Sequence, residues 1–110
     1  LISGTTSPSF ERITDLAIGT DTLDGPNAVA AANVQQLGTI GTSLTSDSIS
    51  ALLTTSNFLA NGASTFTFGS GVGLRTFIAL NDATAGYESG TDSIIEITSY
   101  TGNFSNLNVV

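Results

Sequence analysis

The sequence predicts a mainly β fold, a two-sheet roll or sandwich of short strands with one short helix at about residues 46–54. Three observations carry that prediction. From Thr65 to Val110 the chain is a series of short apolar–polar alternations separated by turn residues. Seventeen Thr, fourteen Ser and 12 Gly favour strands and turns over long helices. The strongest strands are apolar at both parities, which suits sheets covered on both faces.

Taken in order, Leu1–Ser9 reads as an N-terminal arm in which Pro8 resists regular pairing, and residues 10–110 read as a single β-rich domain. Phe10 to Ile18 has strand character, with Phe10, Leu16 and Ile18 on one parity and Asp15 on the other. Gly19 to Gly25 forms a turn and a short strand, and Pro26 and Asn27 break the chain again. The alanines from Ala28 suggest a brief helix-like turn, followed by a strand near Val34 to Ile40. The helix falls at Thr45 to Leu53: Ser46 or Asp47 caps it, and Ile49, Leu52 and Leu53 share a face at i, i+3, i+4. So short a helix must dock on a sheet to persist.

Asn61-Gly62 is a turn, and the terminal strands occupy residues 65–110. Phe66 and Phe68 share a face, as do Thr76, Ile78 and Leu80, then Ile95 and Ile97, then Leu107 and Val109. Asn81 to Asp92 is expected to be an acidic hairpin loop, Asn103 to Asn106 a polar turn, and Leu107 to Val110 a last strand.

Charge narrows the function. Nine acidic residues face two cations, Arg12 and Arg75, for a net charge of −7 with no histidine. Phosphate binding needs several Lys or Arg, so nucleic acid and anionic membrane surfaces are not expected partners. No apolar run is long enough to suggest membrane insertion. With no cysteine and no histidine, any metal must be held by oxygen, which points to calcium. Catalysis is not expected either: the serines have no histidine or lysine to activate them, and no phosphate loop or dinucleotide fingerprint occurs.

Two constellations are candidates for calcium. Gly19-Thr-Asp-Thr-Leu-Asp24 follows the second half of the nonapeptide G-G-x-G-x-D-x-U-x of calcium-binding β-rolls, with Asp21 and Asp24 as ligands and Leu23 as the inward residue. The second is Asn81-Asp82 with Glu88 and Asp92, from which Asn81, Asp82 and Asp92 are the candidate ligands. In each, the alternative is an Asx turn in which the side chain bonds nearby backbone.

Several of these stretches carry a family resemblance. Ile13-Thr-Asp-Leu-Ala-Ile-Gly-Thr-Asp-Thr-Leu-Asp-Gly25, Ala60-Asn-Gly-Ala-Ser-Thr-Phe-Thr-Phe-Gly69 and Arg75-Thr-Phe-Ile-Ala-Leu-Asn-Asp-Ala-Thr-Ala-Gly-Tyr87 are three of them. Thr91-Asp-Ser-Ile-Ile-Glu-Ile-Thr98 and Gly102-Asn-Phe-Ser-Asn-Leu-Asn-Val-Val110 complete the set. Together they resemble the C-terminal region of RTX-type proteins, the calcium-dependent substrates of type I secretion. More narrowly, the chain looks like the bluetail domain of cyanobacterial surface proteins. The resemblance covers about Phe10 to Val110. It implies that residues 10–25 are the cap strand after a stack of nonapeptides, and that the rest is a non-catalytic tail carrying a secretion signal. No full Gly-Gly-x-Gly-x-Asp repeat occurs within these residues.

The expected function is therefore a non-enzymatic, extracellular or cell-surface C-terminal module of a type I secreted protein, with the secretion machinery as partner and calcium as ligand. The alternative is a structural subunit that adds a strand to a neighbouring copy and builds an extracellular filament or surface layer. The non-methionine start at Leu1 favours a fragment or processed product in either case.

Overall fold

A computed structural model describes residues 11–13, 15–23, 28–30, 33–41, 44–69, 71–88, 92–107 and 109–110. The arm Leu1–Ser9, Phe10 and Asp24 lie outside the described residues. The elements are β1 (Glu11–Arg12), β2 (Val34–Ile40), α1 (Ser46–Leu52), β3 (Ala63–Phe68), β4 (Arg75–Leu80) and β5 (Ser93–Glu96). They make one mixed sheet in the order β1-β5-β4-β3-β2. The antiparallel pairs β3/β4 and β4/β5 form its centre, while β1 joins β5 and β2 joins β3 in parallel. A parallel pair needs a crossover, and α1 lies within the one linking β2 to β3.

The chain is mainly β with one short helix, as its alternating pattern implies. Both parities of the central strands are used. Ile78, Leu80, Ile95 and Ile97 enter one buried cluster with Leu16, Leu23, Leu107 and Val109. Phe77, Ala79 and Ile94 enter the other, with Phe66, Phe58, the helix residue Ile49 and Leu53 at the end of the helix. Phe66 and Phe77 are direct cross-strand partners whose rings stack with centroids 5.1 Å apart.

The second layer differs from the expected second sheet. Among the described residues one face is covered by α1 and its following turn, and the other by residues 16–23, Val29 and the C-terminal residues Leu107 and Val109. Among the described residues those segments form no ladder and pair through isolated bridges, Ala17 to Thr101, Ile18 to Asp21, Leu23 to Val109 and Val29 to Val109, while their side chains share one buried cluster. Tight turns explain this: Gly19 and Gly102 take positive φ and interrupt pairing before a ladder can grow. Among the described residues, the expected strand at Phe10–Ile18 is therefore represented by β1 and isolated bridges, and the expected last strand by the contacts of Val109 and Val110.

Two finer features depart from the pattern. In β2 the register slips between Gln36 and Thr39, where two residues, Leu37 and Gly38, oppose one, Phe66. That bulge swaps faces, so Val34 and Ile40, of equal parity, enter opposite clusters. The helix cap is Thr45, not Ser46 or Asp47: the Thr45 hydroxyl accepts from the Ser48 amide, and the Ser48 hydroxyl accepts from the Thr45 amide at 2.9 Å. The reciprocal pair satisfies two otherwise orphaned amides. Asp47 sits in the first turn, beside the positive end of the helix.

Candidate functional site

The loop from Asn81 to Asp92 joins β4 to β5, and its ends are fixed by the Leu80–Ser93 pairing. Asn81 is buried and bonds on every side. Its Nδ2 donates to the carbonyls of Phe58 (3.1 Å) and Leu59 (2.9 Å), and its Oδ1 accepts from the Asp82 amide at 2.9 Å. The loop is also tied to the post-helix turn, since the Gly86 amide donates to Phe58 O and the Tyr87 amide to Leu53 O. Gly86 takes φ +86°, and a Cβ there would press on the Thr55 methyl at 3.2 Å.

On this anchored frame three carboxylates meet. Asp82, Glu88 and Asp92 each bring one oxygen to within 4.8 Å of the others. Asp92 organises the group: its Oδ2 accepts from the Glu88 amide at 2.6 Å and its Oδ1 from the Asp82 amide at 3.3 Å. Asp82 Oδ1 accepts from the Thr84 amide at 2.9 Å, closing an Asx turn.

Burial pushes the Asp92 carboxyl above the usual carboxylate range; the charges of Asp82 and Glu88 add to the rise while its two amide donors oppose it. Burial, then the charge of Asp92, raises the Tyr87 phenol as well. The three carboxylates thus repel one another, and a cation among them would relieve that repulsion. Calcium–oxygen distances are about 2.3–2.6 Å, so two ligands of one ion lie at most roughly 5 Å apart, and the three carboxylates meet that limit.

Of the candidate ligands read from the sequence, Asp82 and Asp92 therefore come together, with Glu88 as the third member. Asn81 stands beside them as a bracket, its amide turned to Phe58 and Leu59. Asp21 belongs elsewhere: it is exposed, and its Oδ2 accepts from the Ala17 amide at 2.9 Å, closing the turn between them. Asp24 lies outside the described residues, so the first constellation is represented by Asp21 alone.

A second polar centre lies at the opposite end of β5. Glu96, almost fully buried, accepts from both of the chain's cations. Arg12 reaches Oε1 through Nε (3.3 Å) and Nη2 (3.0 Å). Arg75 forks onto the carboxylate with Nε on Oε2 (3.1 Å) and Nη2 on Oε1 (2.9 Å), and the Thr98 hydroxyl donates to Oε2 at 2.7 Å. Arg75, then Thr98 and Arg12, hold the Glu96 carboxyl at about 2 against the opposing effect of burial. Arg75 also lies over the Phe77 ring, 5.2 Å from its centroid. The sequence held a signal for this centre, a single acid inside Ile94-Ile95-Glu96-Ile97 in a chain with two cations. Only the β1/β5 and β3/β4/β5 registers reveal that the three meet. Comparison of the chain with protein-family models, with curated proteins and with solved structures gave no match.

Proposed function

We propose that this chain is a non-enzymatic, calcium-linked β module that works outside the cell, as the folding cap and tail of a type I secreted surface protein. The observation that carries this reading is the convergence of Asp82, Glu88 and Asp92 on one anchored hairpin loop. The resemblance to RTX-type and bluetail sequences and the chain's acidity support it.

The mechanism is linkage. Where free calcium is scarce, repulsion among the three carboxylates opposes closure of the β4–β5 hairpin, and the central strands lose their register partner. At roughly 10⁻⁴–10⁻³ M calcium, typical of extracellular modules, the ion binds the folded loop and pulls folding forward. The secretion machinery is then offered a loose chain, and the exterior receives a folded one.

Calorimetric titration of the full chain with calcium chloride, with Asp82→Asn and Asp92→Asn in parallel, tests the proposal. One saturable event that is lost in both variants is expected. No heat of binding at millimolar calcium, or binding that survives both substitutions, overturns it.

A filament subunit is the second reading, and the edge of β2, unpaired among the described residues, favours it. Seven residues end the sheet there, and the chain has no lysine to guard the edge. The bulge between Gln36 and Thr39 works against it by twisting that edge. Size-exclusion chromatography and electron microscopy distinguish the two: concentration-dependent polymers favour the filament, and monomers throughout exclude it.

A further inference from the structure

We infer that the cavity between Arg12 and Arg75 is a binding site for a small carboxylate ligand, an acidic sugar unit of the uronate type. The inference is independent of the calcium-linked loop. The cavity measures about 360 Å³, which accommodates a monosaccharide, and it is lined by Arg12, Leu74, Arg75, Glu96, Thr98 and Ser99 together with Gly73.

Its charge is the reverse of the rest of the molecule. Two guanidinium groups against one carboxylate leave a local charge of +1 in a chain whose net charge is −7. That surplus matches a monoanion; a dianion would leave the site negative within an already negative surface. Glu96 also orients the donors. Each arginine uses Nε and Nη2 on Glu96, and neither Nη1 has a partner among the described residues. Phe77 beneath Arg75 and the fork on Glu96 hold that guanidinium in place before a ligand arrives. A planar carboxylate suits the guanidinium edges left over.

Two further features fit a sugar acid. Leu74 is a large apolar residue left 39% exposed at the wall, where it can meet the apolar face of a ring. Ser99 takes φ +72°, a left-handed conformation unfavourable for serine, and its hydroxyl has no partner among the described residues. Glycine would hold that turn without strain, so the serine supplies a donor at the rim at a conformational cost.

The test is an NMR titration of the full chain with sodium glucuronate at constant ionic strength, with glucose and glucose 6-sulfate as separate arms. Saturable shifts at Arg12, Arg75 and Ser99 are expected with glucuronate and not with glucose, and weaker ones with the tetrahedral sulfate. Arg12→Gln should weaken binding about tenfold or more. Because the Arg12 side chain is 60% exposed, this variant should remain folded. Ser99→Gly should melt no lower than the parent while binding glucuronate more weakly. No saturable shift, equal response to glucose or to glucose 6-sulfate, or unchanged affinity in both variants overturns the inference.

Discussion

At Glu96 the acid response of the fold has a defined sign. Its carboxyl is held at about 2, below its ordinary 4.5. A lowered acid stabilises the fold fully above the ordinary value, and that stabilisation is lost as pH falls from about 4.5 toward about 2. Glu96→Gln should therefore flatten the fall in melting temperature over that window, while lowering stability at neutral pH. Removing one partner of a fully buried pair costs roughly 3–5 kcal/mol, but both arginines reach solvent, so about 2 kcal/mol is expected. Asp92 behaves in the opposite sense. Its raised carboxyl contributes stability below the ordinary value of 3.8, and this is lost as pH rises through its folded value. On the calcium-linked proposal protons and calcium would compete for the same loop, and calcium affinity should fall as pH is lowered into the carboxylate range. Glu88→Gln separates the two effects: without calcium it should be neutral or stabilising by up to about 0.5 kcal/mol, and with calcium it should forfeit the gain in melting temperature.

Among the elements, α1 depends on its cap and on its buried face. Thr45→Ala removes the acceptor for the Ser48 amide and should cost about 1 kcal/mol in chemical denaturation. Gly102→Ala should be far more damaging, because its φ is +93° and a new Cβ would drive into the Ile18 carbonyl. A loss below about 1 kcal/mol there would mean that the bridge between Ala17 and Thr101 does not hold the second layer. These elements also show how much the sequence disclosed. β2 and the hairpin loop were legible because alternation and turn chemistry are local properties. The bulge was not, since Gln36 to Thr39 acquires its extra residue only against β3. The cap was misplaced by one residue because Thr45, Ser46 and Asp47 are all competent cap residues and only backbone geometry chooses among them. Of the candidate site, Asp82 and Asp92 were legible from loop spacing. Asn81 was not assignable to a bracket without Phe58 and Leu59, which are distant in sequence.

The whole molecule is a sheet with an apolar cluster on each face, about 21 Å across its thinnest dimension, which fits two layer spacings of about 10 Å. Its two polar centres sit at opposite ends of β5, the acidic loop before Ser93 and the arginine-flanked Glu96 at the other end. β5 is therefore the strand through which either centre bears on folding, because it holds both β4 and β1. In the calcium-linked account the loop completes the β4–β5 ladder, so occupancy of the loop should raise the stability of the entire domain.

Thermal unfolding of the full chain, in chelator and in excess calcium, tests that most directly. Calcium at tenfold its dissociation constant should add about 1.4 kcal/mol and raise the melting temperature by about 5–10 °C, an effect that Asp92→Asn abolishes. Superimposable melting curves at millimolar calcium and in chelator would contradict the account.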